Sequence, residues 1–238
     1  MKLNNLKVRF LNRKNIGKCL KVVIGLLVFA FLLRAGYYRW RSSQRLDYKK
    51  ERNTSVVMVD GEPITFSDLA YIILEEEKRT EEQARIYNPD SPKDYWNTND
   101  KAKILSVRVR NTAIDMAIHD RILYKMAKKE KVTLNEEEEE ILKNKQIDFW
   151  EDLYDEQIDN LYVKKSVVNA ELRKVAIAAK YQQMLAMKAK VNSARFSYEG
   201  DKYKEIKAKH KIKIDKSLVK KIVMGEVTLR HTSVNFVQ

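Results

Sequence analysis

Covalent or acid–base chemistry would need histidine, cysteine or carboxylate side chains held together, and this chain scatters them. Its three histidines, His119, His210 and His231, have no cysteine or carboxylate at the spacing of a metal site. The single thiol, Cys19, allows no intramolecular disulfide and leaves the compartment open. It also precedes an apolar run, whereas a lipid-modified cysteine would follow one. Carboxylates number 33, and their densest run, 136–140, follows Asn135, which is placed to cap a helix with Glu138 at the third position. The helix macrodipole accounts for acids there. The alternating ligands and turn glycine of a calcium loop are absent. There is no glycine-rich phosphate loop and no G-x-S-x-G elbow. No nucleophile, base and orienter come together, so the residues describe a binding protein rather than an enzyme, with no cofactor and no metal.

What remains is non-covalent. An Ala-rich helix over about 166–191 carries Met184 and Met187, and flexible thioethers suit an adaptable binding surface as well as a helical core. Tyr95 and Trp96, in a loop at 88–99 that holds two of the three prolines, are expected to fold back onto the core.

The elements that must position these side chains start at 56–73, VVMVDGEPITFSDLAYII. Four β-formers, a turn dipeptide Asp60-Gly61, and Pro63 closing the turn predict a hairpin. Thr65 is placed to cap a helix running to Tyr87, with Asp68 as the partner of a capping box. A long helix is predicted over 100–131, with Ile104, Val107, Ile114, Ala117, Ile118 and Ile122 on its buried face. Another runs from Asn135 through Ile141, Leu142, Phe149 and Leu153 to a break at 154–162. Beyond the Ala-rich helix, Gly200 marks a turn, Asp201 is placed to cap a short helix ended by His210, and 211–215 alternates Lys with Ile as a half-buried edge strand. The chain is thus mostly α, with a small two- or three-stranded sheet.

The net charge of +14 is uneven. Residues 1–52 carry fourteen Lys/Arg against Asp47 and Glu51, while the remainder holds 33 basic and 31 acidic groups. A nearly neutral folded part does not offer the basic face that nucleic acid requires, so no nucleic-acid partner is expected. Residues 201–221, with nine lysines against three acids, read as a solvated face. The run 22–33 is apolar throughout, and with its flanks 16–38 is long enough to span a membrane. A cleaved signal peptide would also fit the run, but cutting after Gly36 or Ala35 places Arg34 or Leu33 at position −3. Seven Lys/Arg precede the run and seven follow it, so charge alone does not orient it.

The order of the pieces carries a resemblance. An apolar anchor, VVMVDGEPITFSDL, a helix ending AKKEKVTLNEEEEEIL, an Ala-rich helix with AAKYQ, and FSYEGDKYKEIKAKHKIKID follow one another. This resembles the N-terminal chaperone module of SurA-like and PrsA-like foldases of bacterial envelopes. The V-x-G-x-x-I strand ending falls within 57–64, the A-K-K-x-x-V-x-x-(S/N)-(D/E)-E helix ending at 127–137, and the closing K-Y-K-I-x-I-D-like segment at 209–215. The resemblance spans about 55–222 and implies a helical cradle for unfolded, apolar segments of exported proteins. Such foldases usually insert a parvulin-type prolyl isomerase before the closing segment. Here 181–191 reaches 196–215 almost directly, so isomerase activity is not carried over.

The residues divide the chain into a basic start (1–15), a transmembrane signal-anchor (16–38), a basic spacer (39–54), a folded part (55–222) and a tail (223–238), and the folded part is the chaperone-like domain of the resemblance. The resemblance places the N-terminus inside and the domain extracytoplasmic, on a single-pass cell-membrane protein. Its clients would be unfolded or exported polypeptides, held without ATP in a shallow groove for which Tyr71, Met116, Tyr124, Met184 and Met187 are the candidates. The alternative is a scaffolding subunit of a secretion or polysaccharide-export assembly. A lone hairpin is marginal in water, so strand 211–215 should pair with the N-terminal hairpin, and proline at Val57 or Ile212 should unfold the domain.

Overall fold

The computed structural model describes residues 13–43, 46–100, 103–153, 158 and 162–224. The chain divides into two units, Met1–Arg45 and Leu46–Gln238. The expected break at 154–162 falls largely, and the tail from Gly225 wholly, outside the described residues.

The described residues of the first unit form the helix α1, Arg13–Ser43. Its segment Lys21–Trp40 is long and apolar enough to cross a membrane by length and composition, and its side chains are exposed. Twenty residues rise about 30 Å, the thickness of a hydrocarbon core. At its C-terminal end Tyr37 stacks loosely on Tyr38 and Trp40, with ring centroids 6.1 and 6.2 Å apart. The Arg34 guanidinium lies 5.5 Å over the Tyr38 ring.

The second unit is organised by a three-stranded antiparallel sheet. Strands β1 (Ser55–Val59) and β2 (Glu62–Thr65) form a hairpin through Asp60 (φ 51°) and Gly61 (φ 86°), the paired positive angles that a two-residue turn needs. Its third strand arrives about 150 residues later: Ile212–Ile214, designated β5 below, pairs antiparallel with β1, giving the order β2-β1-β5. The expected pairing of the two ends is present. Pro63 lies inside β2, opposite Met58, rather than in the turn. That is tolerable because β2 is an edge strand.

Thr65 then caps α3 (Phe66–Tyr87) with the full reciprocal box to Asp68. A single turn, α4 (Pro92–Tyr95), interrupts the following loop, and Trp96 returns to the core at 4% exposure, its indole N–H donating to Glu81 at 3.3 Å. The long helix begins later than the pattern suggested. Residues Asn99–Asp100 (β3) and Lys103–Ile104 (β4) form a small hairpin, and α5 spans Leu105–Lys129. Its buried face is the expected one in part: Ile114, Ile118 and Ile122 are buried, whereas Val107 and Ala117 are half-buried and Ile104 is exposed, and Leu105, Val109 and Ala113 are buried in addition. α6 (Glu136–Glu151) opens with the Asn135–Glu138 capping box and buries Leu142, Phe149 and Trp150, leaving Ile141 exposed. α7 is Lys165–Ala189. A 3-10 turn (Ser193–Phe196) and α8 (Asp201–Lys207) lead into β5, and α9 (Lys216–Lys221) follows.

Three local expectations change. Gly200, not Asp201, is the N-cap of α8. A side chain there would place Cβ 2.1 Å from the Arg195 carbonyl oxygen, so only glycine fits, and Asp201 instead pairs with Arg195. His210 does not end α8 but bonds the β1–β2 turn. Residues 46–54 are not a free spacer. Leu46 packs on the core and its N–H donates to the Lys221 carbonyl at 3.0 Å, α2 (Tyr48–Glu51) is capped by Asp47, and the Arg52 carbonyl accepts from the Ser67 N–H at 2.8 Å.

The register refines the proline expectation. Asp60 N–H donates to the Lys211 carbonyl and Asp215 N–H to the Val56 carbonyl. In the antiparallel alternation between these bonds, Met58 and Lys213 exchange both of theirs, and the Ile212 N–H faces the open edge. Lys213→Pro should therefore lower stability in urea unfolding by about 1–3 kcal/mol through the orphaned Met58 carbonyl alone. Ile212→Pro should cost much less; equal losses would contradict this ladder.

Candidate binding surface

The site-bearing helices are held by a polar junction under the hairpin. Arg121 on α5, 9% exposed, donates from Nη1 to the Pro63 carbonyl at 2.7 Å. Its Nη2 lies 3.7 Å from Asp68 on α3 and 3.8 Å from Glu171 on α7. Burial pushes the Glu171 carboxyl up, and the Lys174 ammonium at 2.6 Å opposes that rise. On the next turn of α5, Lys125 reaches Glu62 at 3.1 Å, Asp60 at 3.7 Å and the Val59 carbonyl at 3.4 Å. His119, also buried, donates from Nε2 to the Phe196 carbonyl at 2.9 Å and stacks edge-on against Tyr203. One helix thus fixes the hairpin, both neighbouring helices and the returning segment.

Arg121 meets Glu171, and Glu130 near the end of α5 accepts from the Tyr181 hydroxyl, so α5 and α7 run parallel. α6 returns between their ends. Its acidic first turn is engaged: Glu139 takes a bidentate pair from Arg173, both contacts at 2.6 Å, and Glu138 takes Lys180 at 2.6 Å. Lower down, Trp150 Nε1 donates to Asn169 Oδ1 at 2.8 Å.

The five candidate contact residues are not gathered into one groove. Tyr71 is buried, edge-on against Phe149 with centroids 5.4 Å apart, and Lys145 lies 5.7 Å over its ring. Met116 packs, half-buried, against the same main core. Tyr124 and Met184 do share a surface: both are half-buried against the small cluster of Leu123, Ala127, Ala178 and Tyr181 where α5 and α7 end. Met187, three residues after Met184 and on the same helical face, is 70% exposed. Two residues that the pattern did not single out are exposed at the end of α3, Ile86 at 85% and Tyr87 at 66%. Their only signal is that two apolar side chains follow the polar run EEEKRTEEQAR directly before the proline-bearing loop.

A second concavity, of about 440 Å³, lies between α5 and the connection to β5, lined by polar residues that include Arg108, Thr112, Asp115, Tyr198 and Lys207. Lys207 pairs with Asp115 across it at 3.0 Å, so it does not suit an apolar segment. Among the described residues no cluster of His, Cys, Asp and Glu could hold a metal ion.

The hairpin turn supplies a pH dependence. The His210 imidazole and the Lys211 N–H bonding its side chain hold Asp60 below the usual carboxylate range. A depressed carboxylate stabilises the fold above its unfolded value and loses that contribution as pH falls through its folded one. Asp60→Asn keeps a residue that tolerates the left-handed turn. It should flatten the acid limb of stability below about pH 4; an unchanged limb would assign that limb elsewhere.

The model of the SurA-like N-terminal domain matches residues 8–182, from before the apolar helix into α7. No parvulin domain is detected, and no catalytic domain is identified. No curated protein and no solved structure matches the chain. The match covers well over half of the 238 residues, so the chain belongs to the family of SurA-like N-terminal domains.

Proposed function

We propose that the protein is a membrane-anchored, extracytoplasmic, chaperone-like binder of unfolded or exported polypeptides that works without prolyl isomerase activity. The observation that carries this reading is the joining of a SurA-like N-terminal domain to a helix, Lys21–Trp40, long and apolar enough to span a bilayer. The helix serves as an uncleaved anchor. It continues without interruption to Ser43, offers no small residue at −3 for cutting after Ala35 or Gly36, and carries Tyr37, Tyr38 and Trp40 where an interfacial belt belongs.

Binding falls to the apolar side chains that the fold leaves open. Tyr124, Met184 and Met187 form an adaptable strip at the ends of α5 and α7, and Ile86 and Tyr87 offer a second contact. Thioethers can repack against many sequences, which suits low specificity. Tyr71 and Met116 support the core beneath.

The test is suppression of aggregation of an unfolded, apolar model polypeptide by the full chain in lipid nanodiscs. Wild type should delay aggregation without ATP. Met187→Glu should weaken the effect several-fold at unchanged melting temperature, because the residue is mostly exposed and contributes little to packing. A full chain that gives no delay ends the chaperone reading, and capture of a single stoichiometric partner from membranes would favour a scaffolding role. A topology reporter after Gln238 should signal from outside the cytoplasm; a cytoplasmic signal would remove the export assignment.

A further inference from the structure

Of the nine lysines of 201–221, Lys204 borders the polar concavity beside α5, and the other eight are of two kinds. Lys202 pairs with Glu205 at 2.8 Å, Lys207 with Asp115 at 3.0 Å and Lys221 with Glu51 at 3.3 Å. Lys209, Lys211, Lys213, Lys216 and Lys220 are exposed, and none has a carboxylate partner among the described residues. They follow the outer edge of the sheet into α9: Lys211 and Lys213 flank Ile212, which packs on the core, and Lys216 and Lys220 lie one turn apart. Lys49, exposed on α2, joins them, because α2 is held against α9 by Leu46 N–H bonding the Lys221 carbonyl and by Glu51 meeting Lys221. Guarding an open strand edge explains Lys211 and Lys213. It does not explain Lys49, Lys216 and Lys220 on the two helices, which lie away from the strand edge and pair with no carboxylate among the described residues.

We propose that this lysine edge docks on anionic phospholipid headgroups, an inference that rests on the membrane-anchored reading above. Chain connectivity selects lipid over other anions. Trp40 ends the candidate span and Leu46 enters the fold beside α9, so residues 41–45 give at most about 20 Å of chain between bilayer and patch. A cationic surface tethered that closely meets headgroups at high effective concentration, and each lysine adds to the attraction. Docking would hold the domain in one attitude and turn its opposite surface toward clients.

The experiment reconstitutes the full chain in phosphatidylcholine vesicles with and without phosphatidylglycerol, and measures acylation of each lysine by an amine-reactive reagent. With phosphatidylglycerol the six lysines should react about fivefold or more slowly, salt should restore their rates, and exposed Lys143 and Lys188 should not change. In the folded variant Lys213→Gln, Lys216→Gln, Lys220→Gln, protection of Lys49, Lys209 and Lys211 should be lost. Flotation with both vesicle types but equal labelling overturns the docking and leaves the anchor standing. Failure to float with phosphatidylcholine alone removes the anchored reading and this inference with it. Equal slowing by polyglutamate added to phosphatidylcholine vesicles overturns the lipid assignment in favour of an acidic protein partner.

Discussion

The fold depends on one pairing between residues about 150 positions apart. A two-stranded hairpin cannot hold itself together in water, and β1 gains its second neighbour only when β5 returns. Asp60 is where the two ends are joined. It adopts the left-handed turn, its N–H donates to the Lys211 carbonyl, and its carboxylate accepts from both the Lys211 N–H and His210. A residue chosen for its turn geometry is thus also the clasp of the domain, so turn and closure stand or fall together.

α5 transmits that closure to the helices. Arg121 and Lys125, one turn apart, reach the hairpin from below, and Arg121 also faces Asp68 and Glu171. Desolvating a guanidinium is expensive, and partners at 3.7–3.8 Å with a single close carbonyl only partly offset it. Such an arrangement favours one register of helices over others more than it adds stability. Asp68 serves both sides of it, closing the cap of α3 and facing Arg121.

Local chemistry was legible, and so was the long-range pairing of strand 211–215 with the hairpin, because a hairpin alone lacks a stabilising neighbour; the side-chain contacts between elements were not. The Asp-Gly turn, the two capping boxes, the alternating Lys–Ile strand and the Ala-rich helix are each specified by neighbours within a few residues, and all are present. The buried face of α5 was right at Ile114, Ile118 and Ile122 and wrong at its start, where Ile104 and Val107 fit the period but the small hairpin before Leu105 shifts where the helix begins. Asp201 looked like a cap because its type is right; Gly200 takes the role because the Arg195 carbonyl leaves no room for a side chain. The burial of Arg121 and Tyr71 and the clasp at His210 depend on partners 50 to 150 residues away, on which a linear pattern carries no information. The same reason separates Met187, which stays open, from Met116, which does not.

The late position of β5 has a consequence for biosynthesis. A ribosome adding about 5–20 residues per second needs roughly eight to thirty seconds to make the 151 residues that follow Asp60 up to and including Lys211. During that interval the hairpin has been made but one flank of β1 is bare, an open template of Val56, Val57, Met58 and Val59. Until β5 has been made, that edge stays open to pairing with other chains.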